Sequence, residues 1–237
     1  MIDITFDFRR DVKPGQDPDI YSKKLHQVHK LLWSKSLPGG GRLDLQNLPG
    51  KYLVHRSETE FFELSSDSIL HSYISTKRME HITNKLSDDF KEEILGKFST
   101  IGGYILFPSN KIDKKLTING SRGFNSRIVD RFDLTLECIR RFYEEEKSPL
   151  YETFQRYSDF FGLFRDFIGY VDFFLLQDLV MEDYSEVKFF TPFDDSFPSQ
   201  PLPKTDEEYL NFLRQTEKFV EGRNQRIQRW VDHNRSG

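Results

Sequence analysis

The chain has 237 residues, 37% hydrophobic, 15% aromatic and 30% charged, with 34 Lys+Arg against 38 Asp+Glu for a formal net charge of −4. It is too apolar for a disordered chain and too charged for a membrane protein. Its acidic balance also argues against bulk, sequence-blind DNA binding, which needs a basic face. The length suits one large domain, and 1–237 is read as such. No apolar run approaches the roughly 18 residues of a membrane span. Residues 1–7 carry acids where a secretory signal would have basic and then apolar residues. The single cysteine, Cys138, allows no internal disulfide and no multi-thiolate zinc site. The expectation is a cytoplasmic protein with no membrane partner.

Residues 1–18 alternate Ile2, Ile4, Phe6 and Phe8 with polar neighbours, a β-like opening, before a turn region at Pro14-Gly15 and Asp17-Pro18. Asp19 is placed to cap a first helix running to about Lys35, with Ile20, Leu25, Val28, Leu31 and Leu32 on one face and Pro38 and three glycines after it. Three short strands, 42–45, 52–56 and 60–64, punctuated by Pro49-Gly50 and polar residues 57–59, read as a small antiparallel meander. A charged helix over about 76–98 follows. Residues 104–107 form a buried strand closed by Pro108, with 116–118 a candidate partner across the polar loop 109–115. Residues 126–145, 149–166 and 168–181 read as three helices, and 189–204, rich in Pro, Asp and Ser, as a surface connection. The last helix, 205–233, opens with the capping-box pattern Thr205-Asp206-Glu207-Glu208.

Strands come first and helices later, which favours α+β over a wound parallel sheet. The expected architecture is a small antiparallel sheet in a mixed N-terminal half, 1–118, packed on an aromatic-rich, mainly helical half, 119–237. The chain has no alanine and 23 phenylalanines, so rings and branched aliphatics must fill the core. Close helix contacts then fall to glycine and serine. The stripe from Phe154 to Phe174, with Gly162 and Gly169, has helical spacing and reads as core, although such a stripe could also stack bases.

The segment 119–131 carries the chief candidate site. It runs from a strand candidate through a glycine-bearing loop into a helix. Gly120 and Gly123 would let backbone approach a ligand, Asn119 lies beside them, and Ser126 or Asn125 would cap the helix. A helix N-terminus accepts anions, and Arg122 and Arg127 would add bidentate contacts to a phosphate. The string is neither a Walker A motif nor a Rossmann fingerprint. Asp130, Asp133 and Glu137, spaced i, i+3 and i+7, would share one side of the helix, as Mg²⁺ ligands or acid–base groups. The other reading pairs them with Arg127, Arg140 and Arg141 along the helix surface. His26 and His29 stand at a chelating i, i+3 spacing but lack a third ligand, and no metal site is assigned. His55-Arg56-Ser57 at a strand end is a further acid–base position. Cys138 reads as a buried small hydrophobe. The basic residues of the last helix, including Arg214, Lys218, Arg223 and Arg226, suit a solvated face or contact with an acidic partner.

The strings from Gly102 to Pro108, Ile118 to Gly123 and Asp130 to Arg141, with the opening from Asp3 and Leu32-Trp33-Ser34-Lys35, resemble a family of uncharacterised bacterial proteins known only as a domain of unknown function. The resemblance implies a single domain and no assignable catalytic residue. From the residues themselves, the expected function is recognition or processing of a phosphate-bearing ligand, a nucleotide or nucleic-acid end, at 119–131. The alternative is a non-catalytic interaction module that meets a protein partner through the C-terminal helix or residues 189–204.

Overall fold

Four short strands form one antiparallel sheet in the order β1 (Leu45–Asn47), β2 (Leu53–Arg56), β3 (Phe61–Ser68) and β4 (Tyr104–Pro108). The computed structural model describes residues 2–48, 52–57, 61–69, 71–74, 77–197 and 201–235. Leu45 sits opposite His55, Leu53 opposite Leu64, and Ser68 opposite Tyr104. The meander is therefore present. Pro49-Gly50, and residues 58 and 59 of the 57–59 punctuation, lie outside the described residues. The partner of 104–107 is β3 rather than 116–118: Leu116 is exposed and Ile118 already begins a helix. All five residues of β4 are buried, as its unbroken apolar run requires.

The β-like opening is not a strand. Phe6 N–H closes a turn on the Asp3 carbonyl and residues Phe8–Asp11 form a 3-10 turn capped by Asp7. The first helix is two pieces, α1 (Pro18–Tyr21) and α2 (Lys23–Trp33). Asp17, not Asp19, caps α1. Ser22 is extended and caps α2 through the Leu25 N–H, so a second start signal interrupts one periodic stripe. The helix expected over 76–98 divides likewise after α3 (His71–Ile74) into α4 (Glu80–Thr83) and α5 (Asp88–Phe98), with Ser87 capping the latter. Thr76 lies outside the described residues.

In the second half come α6 (Ile118–Phe124), α7 (Phe132–Tyr143), α8 (Tyr151–Arg156), α9 (Ser158–Gly162), α10 (Phe167–Phe173) and α11 (Asp206–Arg235). The aromatic stripe is core: Phe154 and Phe161 centroids are 4.9 Å apart, Phe164 and Phe173 5.0 Å, and Phe142 and Phe161 5.2 Å. Gly169 supplies the close approach expected of it, since a Cβ there would meet the Phe164 carbonyl and Pro38. Gly162 does not, because the space beside it is open.

The long helix α11 starts as expected. Thr205 Oγ1 accepts the Glu208 N–H at 3.1 Å while the Glu208 carboxylate reaches back to the Lys204 and Thr205 N–H groups. Tyr209, Phe212, Leu213, Thr216, Phe219, Val220, Arg223, Ile227 and Val231 bury its inner face. Arg223 is no solvated residue: it is wholly buried and donates to the carbonyls of Gly102, Tyr104 and Phe174. Arg226 pairs with Asp178, and Arg214 and Lys218 are exposed. Residues 189–197 form an irregular surface connection whose Phe190 and Phe197 are buried. Among the described residues no helix is long and apolar enough to cross a membrane.

Candidate functional site

The segment 119–131 folds differently from its sequence expectation. Residues 118–124 are helical, with Thr117 Oγ1 capping through the Gly120 N–H at 3.2 Å. Gly120 and Gly123 are ordinary helical residues and neither has a positive φ. No glycine loop exists to cradle a phosphate. The positive φ angles fall instead on Val129 (44°) and Asp130 (68°), in the tight turn that links α6 to α7, so 126–131 is not helical. Tyr73 and Arg78 donate to the Val129 carbonyl, and Arg78 also to that of Gly123, tying this turn down.

Arg122 turns inward and is 1% exposed. Its Nε donates to Thr135 Oγ1 at 3.0 Å, Nη1 to Asp67 Oδ2 at 2.8 Å and to Asn119 Oδ1 at 3.4 Å, and Nη2 to the Asp130 carbonyl at 3.4 Å. The Asp130 carboxylate lies 3.5 Å from Nη2. The structure thus gathers Asn119, Arg122 and Asp130 around Asp67 of β3, but as an internal network in which every guanidinium nitrogen has a protein partner. Arg127 is exposed and donates to the carbonyls of Phe197 and Ser196 rather than pairing with Asp130.

The three acids do not converge. Asp133 is fully buried, held by the Arg131 guanidinium and the Phe190 N–H. Glu137 is held by Arg140 at 2.8 Å and Arg141 at 2.7 Å, the helix-surface pairing that the i, i+3 and i, i+4 spacings allow. Among the described residues no three His, Cys, Asp or Glu side chains are placed to hold one metal ion. His26 and His29 also part company: His26 Nε2 meets the Asp19 carbonyl, whereas buried His29 accepts the Trp33 indole N–H at 3.0 Å. Burial drives the His29 imidazole down to about 3. His55 accepts the Asp44 N–H and stacks on Phe62. It lines a small cleft of about 340 Å³ with Arg42 and Gly39 to Gly41. The Cys138 thiol is buried and pushed up to about 12 by that burial.

A site not singled out in the sequence lies on the other side of Asp67. The loop before α1 meets the end of β3 and the start of β4 around a cleft of about 530 Å³. Asp17, Asp19, Ser66, Asp67, Ser68 and Tyr104 line it, with Arg9 and Lys13 also contributing. Asp19 is 6% exposed. Its Oδ1 accepts the Ser66 N–H at 2.7 Å and the Ser66 hydroxyl at 2.5 Å. Among the described residues no basic side chain lies within ion-pair distance of it. Arg9 is engaged by Asp7 and Glu92, and exposed Lys13 makes no ion pair among the described residues.

Burial pushes the Asp19 carboxyl up to about 7, with Asp17 and Asp67 adding repulsion and the Ser66 bonds opposing it. Asp67 is raised as well, first by burial; the single Arg122 guanidinium that opposes this is shared with the repelling Asp130. The Tyr104 hydroxyl is raised by burial and by Asp7, Asp17 and Asp19. The cleft therefore has a negative field, and perturbed carboxyls in a cleft mark a candidate for function. In the sequence Asp19 is one of two acids before a helix. Nothing local says which of them caps the helix and which faces the sheet.

No curated protein and no solved structure matches this chain. Over residues 2–227, nearly its whole length, the chain matches a family of unknown function (DUF6994), and it belongs to that family.

Proposed function

We propose that this protein binds a small organic cation, an amine or a guanidinium compound, in the cleft between the loop 12–19 and the ends of β3 and β4, with Asp19 as its counter-ion. One observation carries the reading: a carboxylate with no basic partner among the described residues is buried in the wall of an open cleft. Burying an unpaired carboxylate costs several kcal/mol unless it takes up a proton or meets a cation. Asp17 and Asp67 deepen the same negative field, so an anionic ligand would be repelled there. A cation that displaces the Asp19 proton would restore the ion pair that the chain itself lacks. Ser66, Ser68 and Tyr104 supply hydroxyls for orientation.

A phosphate ligand at 119–131 is not favoured by this geometry, because Arg122 has no free donor and the segment presents no glycine loop. The two readings separate in one experiment. Thermal shifts are measured at pH 8 with a diamine, an alkylguanidine and an uncharged alcohol of equal size, and with nucleotides with and without Mg²⁺. A one-site ligand at about 100 times its Kd adds about 2.7 kcal/mol, hence roughly 5–10 °C for a chain of this size. The expected result is a shift with the cations alone, abolished in Asp19→Asn. Nucleotide shifts that vanish in Arg127→Ala would return the site to 119–131. A flat panel would favour the interaction-module alternative.

A further inference from the structure

Asp19 offers a ligand one oxygen, not two. The pairing of β2 with β3 ends at Leu53 opposite Leu64, so the Ser66 N–H lies beyond the reach of β2 and bonds to Asp19 instead. Oδ1 accepts that N–H at 2.7 Å and the Ser66 hydroxyl at 2.5 Å, which fills both of its lone pairs. Oδ2 has no hydrogen-bond partner among the described residues. Although the residue is only 6% exposed, this oxygen is not sealed from the cleft that Asp19 lines.

Ser68 is two residues further along β3, on the same face as Ser66. It lines the cleft too, and among the described residues its hydroxyl has no hydrogen-bond partner. Asp17 is exposed at the rim. Its Oδ1 caps α1 by accepting the Asp19 N–H at 2.9 Å, and its Oδ2 has no partner among the described residues. Tyr104 is the one aromatic ring lining the cleft among the described residues.

Granted the cation site proposed above, we propose that its ligand is a linear primary diamine, or a longer polyamine with a primary end. One ammonium is buried on Asp19 Oδ2, and the next lies at the rim beside Asp17. A guanidinium binds a carboxylate through a planar fork that needs two oxygens side by side. With Oδ1 filled, part of that fork would be buried without an acceptor. An ammonium is a compact point charge with three rotatable donors, so it can use Oδ2 alone and turn another N–H to the Ser68 hydroxyl. A quaternary ammonium has no N–H to give and relies on several ring faces, which this cleft does not offer. A single ammonium on Asp19 leaves the Asp17 carboxylate uncompensated, and a second charge on the same chain answers it.

The test is calorimetric titration of the full chain at pH 8 with 1,4-diaminobutane, butylamine, butylguanidine and butyltrimethylammonium. Butylguanidine and butyltrimethylammonium should bind at least about tenfold more weakly than butylamine, the effect of one buried hydrogen-bonding group left unpaired. The diamine should exceed butylamine by about two- to fivefold, as for an exposed ion pair, beyond the factor of two that its equivalent ends give statistically. Asp17→Asn keeps the helix cap and should reduce the diamine's advantage to that statistical factor, while Asp19→Asn should abolish amine binding. If no cation binds, the Asp19 site itself fails. If butylguanidine binds as tightly as butylamine and both are lost in Asp19→Asn, the cation site stands and its assignment to a primary ammonium is overturned. A diamine advantage that is absent, or that survives Asp17→Asn, overturns the second ammonium.

Discussion

Replacing Asp19 with asparagine tests the idea that this carboxylate is held against its own preference. The unfolded group titrates near 3.8 and the folded one near 7. In that window the folded state binds the extra proton, so stability is full below about pH 4 and is lost as pH rises to 7. A gap of about three units corresponds to about 4 kcal/mol. An asparagine still offers an oxygen to the Ser66 N–H and hydroxyl but carries no charge. Asp19→Asn is therefore expected to be more stable than the parent by about 1.5 kcal/mol at pH 5 and by up to about 4 kcal/mol at pH 8, from the same titration arithmetic. At 2–4 °C per kcal/mol, the pH 8 difference is roughly 8–16 °C in Tm. Urea unfolding of both proteins at the two pH values measures it; carboxylates remote from Asp19 cancel in the comparison, while relief of the repulsion with Asp17 and Asp67 acts in the same direction. An asparagine variant that is less stable at pH 8 would refute the reasoning: the carboxylate would then be stabilising, and the cleft would lose its claim to an outside cation. A stabilised variant that no longer responds to amines would mark Asp19 as retained for binding at the expense of stability.

Arg122→Met should destabilise the fold by about 3 kcal/mol, the low end for breaking a buried pair because Asp67 keeps about a third of its side chain in water. Adding Asp67→Asn should recover part of that loss in a double-mutant cycle, and a single variant within about 1 kcal/mol of the parent would deny Arg122 its structural role. Gly102→Ala should cost about 2 kcal/mol or more, because the new Cβ would meet the Val220 carbonyl and Asn224 Oδ1 where α11 docks. Limited proteolysis should then cut α11 faster than in the parent, and an unchanged cleavage rate would contradict the packing argument.

The contrast between Glu137 and Arg122 shows what could be read from the sequence. Glu137 meets Arg140 and Arg141 three and four residues away, an arrangement that helical spacing alone dictates. Arg122 meets Asp67, 55 residues earlier, and its inward turn has no local signature. The same divide runs through the fold. The buried strand at 104–107, the meander, the capping box of α11 and the aromatic core follow from short-range pattern. The strand that pairs with β4 and the breaks at Ser22 and Ser87 do not, because each involves competition between two locally acceptable structures. Cap residues inside a continuous apolar stripe start a new helix only when the packing rewards the bend.

The sequence by itself determined the class, an antiparallel sheet joined to helices filled with phenylalanine, because burial periodicity and the absence of alanine act at every position. Only the tertiary structure decided which charges are internal. Asp19 is paired with Ser66 across 47 residues, and Lys35 is set among Trp33, Phe173 and Trp230 from three segments of the chain. The chemistry of a carboxylate or an amine depends on the solvent and charges around it, and those neighbours are brought together by folding, not by sequence order.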